Sequence, residues 1–569
     1  MMFYKKKQIV LVLLSIFIVI FFITFKSILP RMNNRISSSE NELIFSRESG
    51  FYDASFELEL TAKSGTIYYT LDGTIPDKKA IKYESPILIT DASSNDNTYS
   101  MRADVSTGFD TEAIEKVSSE RIPGYQVPDY KIDKATIVRA VVYDEMGHRS
   151  DVKTASYFVG FSQKNGYDGM NILSIVTEPS NLFDYDTGIY VTGKAYDEYV
   201  KEYRDSGEYY WREEFWTLWQ ANYRNRGINW ERKVSCQFFD DSKQLILEQE
   251  CGIRIHGGMS RGYNPKSLNI YARKEYDETK NFQNDLFETG YYASTITLFQ
   301  GGNDVRTKAK DYLISTAIKD LDISSMNYKP YILFLNGEYW GIYWLNEKYD
   351  ARYLEYYYDV DKDNVIMIKN AELAEGEEDD YKYFSNMIEF CSQSDVTKEE
   401  NYEKVCELID IESYIDYYAV MCYIGRPADW PWLNYALWRV RKNEAGPFGD
   451  GKWRWMIFDL NSSGFYADID SIQYVMDNDE MFKNLMTNDA FRAQLIHRIE
   501  ELADTVFTPE SMTEKLNEYQ VFIAEPMREN DRRFFGDDSL SDFNYEIEVL
   551  QNFFSERNAQ LPSILNKYK

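Results

Sequence analysis

A chain of 569 residues is longer than one hydrophobic core supports, so two or more domains are expected. The 63 Lys and Arg against 93 Asp and Glu leave a formal net charge of -30. That balance argues against a nucleic-acid partner, which needs clustered cations, and favours basic or polar protein surfaces. Five cysteines, Cys236, Cys251, Cys391, Cys406 and Cys422, show no CxxC spacing, and three histidines stand far apart. A disulfide framework, a zinc ribbon and a His-rich metal site are therefore not indicated.

In chain order, Lys5, Lys6 and Lys7 precede an apolar run from Ile9 to Phe25. At about 17 residues it reaches the lower limit of a membrane-spanning helix, and no small-x-small cleavage site follows it. The expectation is an N-terminal transmembrane helix, a signal anchor over 1–27, with the lysines inside. The chain would then be a single-pass cell-membrane protein with its soluble domains extracytoplasmic. Residues 28–45 read as a linker. Over 46–160, FELELTA, GTIYYTLDG, SPILIT, ATIVRAVVYD and TASYFVG alternate apolar and polar positions between turns, which predicts an all-β sandwich. Asp91 to Tyr130 reads as an insertion in one of its loops. The segments SGFYDASFELEL, GTIYYTLDGTIPD and YESPILIT resemble the chitobiase/β-hexosaminidase C-terminal-like domain, a module that accompanies carbohydrate-associated proteins, and the resemblance implies that the all-β sandwich is immunoglobulin-like. Through it a cell-wall or other glycan is a possible partner, with Tyr68, Tyr69 and Asp72 the side chains to touch one. The Tyr69 to Pro76 turn reads first as structural.

A second unit, 170–569, starts with the strand-like ILSIVTE. Ala195 to Trp230, rich in Tyr, Trp and Glu, reads as a partly helical insertion. Alternation in KVSCQFFD, QLILEQECGIRIHGG and KSLNIYAR predicts a β-rich lobe. Helical spacing follows in KAKDYLISTAIKDL, in the acidic flank EYDETKNF, and in YFSNMIEFCSQ, IESYIDYYAVMCYIG and FRAQLIHRIEELADTVF. YILFLNGEYWGIYWLNE predicts a hairpin turning at Asn336-Gly337. The whole reads as an α+β lobe pair.

Three stretches carry candidate chemistry. In IRIHGGMSRGYNPKSLNIYAR, Gly257, Gly258, Ser260 and Arg261 form a loop whose backbone N–H groups would cover phosphates, and Lys266 follows as a point charge. Gly258 to Gly262 also matches Gly-x-Ser-x-Gly, but β-like sequence follows it, which disfavours a serine hydrolase. FQGGNDVRTKAKD places Asn303, Asp304 and Arg306 at a helix start, where Asp304 serves as a cap. Glu347, ending the hairpin, is the acid that would hold Lys266. The third stretch runs from Arg426 to Gly464. Asp429 and Asn434 stand as Asp-x-x-x-x-Asn, and Asp459 follows the apolar run Trp455 to Phe458. The spacing and order are those of a kinase catalytic loop and its later metal-binding Asp, which suit Mg²⁺ and a polyphosphate. His-Arg-Asp, Asp-Phe-Gly and Gly-x-Gly-x-x-Gly are all missing.

Taken together in that order, CGIRIHGGMSRGYNPKSLNIYAR, LFQGGNDVRTKAKDYLI, FLNGEYWGIYWLNEKYD, RPADWPWLNYALWR and KWRWMIFDLNSSGF resemble the spore coat protein H (CotH) kinase family. The resemblance implies an atypical protein-kinase-like fold that uses ATP and Mg²⁺ to phosphorylate Ser or Thr of surface or secreted proteins. By position it implies Asp429 as the catalytic acid, Asn434 and Asp459 as metal ligands, and Lys266 on the phosphates with Glu347 as its partner. Family members often carry a second acid where this chain has Asn461, an oxygen ligand without charge. A different class of function stays open: a non-catalytic cell-surface adhesion or carbohydrate-associated protein built on a kinase-like scaffold.

Overall fold

The computed structural model describes residues 42–118, 120–206, 215–425, 429–463 and 466–569. The expected transmembrane helix and single-pass membrane location are corrected. Among the described residues no helix is long and apolar enough to cross a membrane, and the Ile9 to Phe25 run lies outside them. The architecture is an all-β N-terminal region followed by a barrel and a largely helical lobe.

In the N-terminal region, Gly50–Tyr52, Lys153–Val159, Thr136–Tyr143, Thr66–Thr70 and Ile81–Lys82 form one sheet in that order. Phe56–Leu58 and Ile87–Ile89 form a small ladder beside it. Alternation sends Leu58, Ile89, Val138, Ala140 and Tyr157 into a shared dry core. The stretch 91–130 is not a solvated loop. It forms 3-10 turns at Ala92–Ser94 and Thr107–Phe109 and a helix at Thr111–Val117. Its Thr98 and Ser100 N–H groups donate to Glu338 at 2.5 and 2.7 Å, and Gln126 N–H donates to Phe534 O at 2.9 Å. Its polar composition serves these contacts, which dock the β region onto the rest.

Seven strands close the barrel in the order Asn171–Val176, Arg232–Phe239, Leu245–Ile255, Leu268–Tyr271, Thr295–Phe299, Glu338–Glu347 and Tyr328–Leu335. The last pairs in parallel with the first. All ten residues of Glu338–Glu347 are buried, because the long helix Pro509–Phe535 covers the outer face. That approach requires Gly341, where a Cβ would lie 2.7 Å from the Phe534 ring. The hairpin turns at Asn336 and Gly337, both at positive φ, as the dipeptide predicts. The EYDETKNF segment is turns, not helix, since Tyr276 is tied to Glu231 at 3.1 Å.

The helix Lys310–Ala317 lies against the hairpin, with Tyr312 stacked on Trp344 at 4.5 Å. Asp304 organises the turn before it, accepting from Thr307 Oγ1 at 2.5 Å and from the N–H groups of Ala309 and Lys310 at 2.8 and 2.9 Å. These donors are buried and have no water to replace the carboxylate. Asp304→Ala is expected to cost about 2 to 4 kcal/mol, read as a lowered midpoint in urea unfolding.

Beyond the hairpin a four-stranded sheet runs Glu372–Glu375, Val365–Lys369, Ala436–Val440 and Arg454–Met456. The helices Tyr381–Gln393, Ile411–Tyr423 and Asp489–Thr505 pack on it through a core that includes Trp430, Trp453 and Trp455.

Candidate functional site

The loop after Leu245–Ile255 begins at His256 and enters a 3-10 turn, Met259–Gly262. Gly257 is required there: φ is 105° and a Cβ would fall 2.2 Å from Ser260 Oγ. Arg261 is spent inside the loop, donating to the carbonyls of Gly257, Tyr223, Asn225 and Ile255 at 2.6 to 3.1 Å. The Gly257 and Gly258 carbonyls also accept from Arg226 and Arg224 at 3.1 and 3.2 Å.

Lys266 is fully buried. Its ammonium donates to Arg261 O at 2.6 Å and Tyr263 O at 3.0 Å and lies 3.6 Å from the Tyr223 ring centroid. Burial, and then Arg261 and Arg224, hold its pKa well below that of an ordinary lysine. Glu347 is also fully buried, but it accepts from Asn327 N–H and Nδ2 at 2.9 and 3.0 Å and from the Tyr357 hydroxyl. The expected Lys266–Glu347 pair does not form, because each side chain is satisfied by its own neighbours.

The acids expected in the catalytic stretch do converge. Asp459 follows Arg454–Met456, the strand paired with Ala436–Val440 that follows Asn434. Burial raises its pKa, Asn461 and Lys369 lower it, and the nearby Asp429 carboxylate raises it again. Asp429 is exposed, with its carbonyl accepting from Leu433 N–H at 2.8 Å. Asn434 is pinned by its N–H to Asn370 Oδ1 at 2.8 Å. Asn434 and Asp459 both sit at positive φ, 60° and 61°, the left-handed region in which Asn and Asp cost least and which clusters at functional sites. Arg426 and Gly464, the ends of the stretch, lie outside the described residues.

Asn461 is 2% exposed. Its Nδ2 donates to Asp459 Oδ1, and its Oδ1 accepts from Asn303 N–H at 3.0 Å. Asn303 Nδ2 donates to Ser462 Oγ at 3.0 Å, so the turn before the helix Lys310–Ala317 buttresses the 459–462 loop. Gly302 makes room for it, since a Cβ there would meet Asn461 at 2.8 Å.

Two residues missed at the sequence level join the site. Lys369 ends the strand Val365–Lys369, 4.1 Å from the Phe458 ring centroid and close enough to Asp459 for each to shift the other's titration. The signal was the run VIMIK, an apolar strand ending in a cation. Asp311, in the first turn of Lys310–Ala317, is 4% exposed. Its Oδ1 accepts from Leu460 N–H at 2.7 Å. Burial and then Asp459 push its pKa up to about 7, while the Leu460 N–H and the Asn461 amide pull the other way.

Across from these acids the charge is positive. Burial pulls His256 down to about 3, and Lys369, Arg261, Lys348 and Arg226 add to it. A glycine loop with cations around His256, joined through Lys369 to the Asp459 carboxylate, is the arrangement of a kinase-like site. The family model described as CotH kinase protein matches residues 253–561, more than half of the 569, and the chain belongs to that family. A second model, Fn3 associated, matches residues 56–157. This is compatible with the expected sandwich, although the chitobiase-like description is not the one matched. Among curated proteins, the DNA polymerase delta catalytic subunit of Oryza sativa subsp. japonica is 28% identical over 156 residues. The match covers 23% of this chain and 14% of that protein.

Proposed function

We propose that the protein is an ATP- and Mg²⁺-dependent kinase that phosphorylates Ser or Thr of protein substrates. The observation that carries this reading is that Lys369 is felt both by His256 of the glycine loop and by Asp459, which Asn461 holds. The residues fit a hard divalent cation: Asp459 supplies a carboxylate, the buried Asp311 Oδ2 has no hydrogen-bond donor, and Asn434 and Asn461 are the amides that would complete the set. Such a cation, when bound, would offset the charge that develops on the phosphates during transfer. In the chain's own share of the work, Asp429 orients the acceptor hydroxyl and takes its proton, as an exposed acid at the mouth of the site is able to do. Lys369 offsets phosphate charge from the cleft, and the Gly257-Gly258 loop lets the phosphates approach the backbone. The test is transfer of labelled phosphate from ATP to added proteins with Mg²⁺ present; a folded wild type that neither binds nucleotide nor transfers phosphate overturns the proposal.

The loop histidine gives an independent readout. Without nucleotide, His256 is expected to stay neutral through mildly acidic pH. A bound polyphosphate neutralises the surrounding cations and removes their opposition to a second positive charge, so its pKa rises. With three histidines in the chain, imidazole NMR during an ATP and Mg²⁺ titration resolves the change. An unmoved His256 resonance in a nucleotide-bound sample counts against phosphates at the loop.

A further inference from the structure

Asn461 leaves the metal-binding loop one charge short of two acids, and the helix Lys310–Ala317 brings another carboxylate to the same place. Asp311 holds the loop through one oxygen, accepting Leu460 N–H at 2.7 Å from the residue between Asp459 and Asn461. Its other oxygen, Oδ2, is buried without a hydrogen-bond donor. A buried carboxylate oxygen without a donor is costly unless something positive meets it. The groups felt most strongly at Asp311 are the carboxylates of Asp459 and Asp304, which oppose its charge, and the Leu460 N–H and the Asn461 amide, which favour it; the buried Lys310 answers to Asp304 and Glu546 before it answers to Asp311. Two carboxylates brought together at one loop, one of them with an oxygen that no donor meets, are ligands suited to a hard divalent cation.

We infer that Asp311 is the second acid of the metal site, standing in from the helix for the charge that Asn461 does not provide. Its Oδ1 fixes the backbone of the 459–461 loop, and its Oδ2 would hold the cation. The inference rests on the proposed use of Mg²⁺ and extends it to a residue outside the catalytic stretch. It also couples the site to the helix, since any movement of Lys310–Ala317 carries Asp311 away from Leu460.

The test is Mn²⁺ binding to the full chain without nucleotide, followed by electron paramagnetic resonance. Asp311→Asn keeps the shape and leaves an acceptor for Leu460 N–H while removing the charge, and is expected to weaken Mn²⁺ about 10- to 100-fold. The double variant Asp311→Asn with Asn461→Asp returns one acid to the corner and is expected to recover most of that loss. Its recovery separates a charge on the metal from a purely structural role, which moving the carboxylate would not restore. Thermal unfolding without metal checks the fold, and there Asp311→Asn is expected to be at least as stable as wild type because the mutual repulsion of the Asp311 and Asp459 carboxylates is removed. Wild-type binding with Asp311→Asn equally tight overturns the inference alone. No Mn²⁺ binding by wild type, even with ATP present, overturns the metal reading with it.

Discussion

Asp429→Ala is expected to lower phosphate transfer about 100- to 10,000-fold, the range attributed to a positioned proton acceptor. Stability should move by less than about 0.5 kcal/mol, because Asp429 is exposed and its carbonyl, not its carboxylate, makes the local turn bond to Leu433. Nucleotide affinity should be nearly unchanged, since the acceptor side of the site is not the phosphate side. Asp459→Ala should behave differently. It removes the acid that neighbours both Lys369 and Asn461, so metal-dependent nucleotide binding and transfer should fall together. The apo fold should not suffer in proportion, because a half-buried carboxylate beside Asp311 and Asp429 is opposed by its surroundings when no cation is bound. Initial rates with labelled ATP, nucleotide affinity with and without Mg²⁺, and thermal unfolding separate the two variants. Equal loss of affinity in both would undo the division of roles.

Local periodicity exposed much of this arrangement. The hairpin at Asn336-Gly337, the helix at Lys310–Ala317 and the alternation of the barrel strands follow from nearest-neighbour chemistry that a sequence displays directly. Asp429, Asn434 and Asp459 were legible because one loop and the strand pair after it carry them within a short stretch. Partners recruited over distance were not. Lys266 looked like a phosphate lysine because it follows a glycine loop, but spacing does not reveal that Arg261 O and Tyr263 O turn back to take its ammonium. Nothing in the sequence sets Asp311 apart from any acid in a helix's first turn, and only the fold brings that turn under Leu460. The closure of the barrel was similarly hidden, since the parallel pairing of Asn171–Val176 with Tyr328–Leu335 joins segments more than a hundred residues apart. The insertion read over 91–130 shows its place in the chain but not what it docks against, since the N–H groups of Thr98 and Ser100 reach the distant Glu338.

The exchange of Lys266 for Lys369 gives the second large effect. Lys369→Met is expected to weaken ATP about 10- to 100-fold, because a charge-assisted contact to phosphate contributes about 1.5 to 3 kcal/mol and tenfold corresponds to about 1.4 kcal/mol. Stability should hold or rise, since the ammonium is deeply set and burial already disfavours its charge. His256 should titrate at higher pH in this variant even without nucleotide, because Lys369 is the first of the cations that oppose its protonation. Lys266→Met should invert the pattern. It strips donors from two buried carbonyls and removes a cation seated on the Tyr223 ring, at a cost of about 1 to 3 kcal/mol. Nucleotide affinity should then change only as far as the 256–262 loop loosens, and His256 should move little. Paired measurements of unfolding, ATP affinity and the His256 titration decide the matter. If Lys266→Met abolished nucleotide binding at unchanged stability while Lys369→Met bound normally, the phosphate charge would have to be offset from inside the glycine loop. The buried ammonium would then have to leave its two carbonyls to reach the ligand.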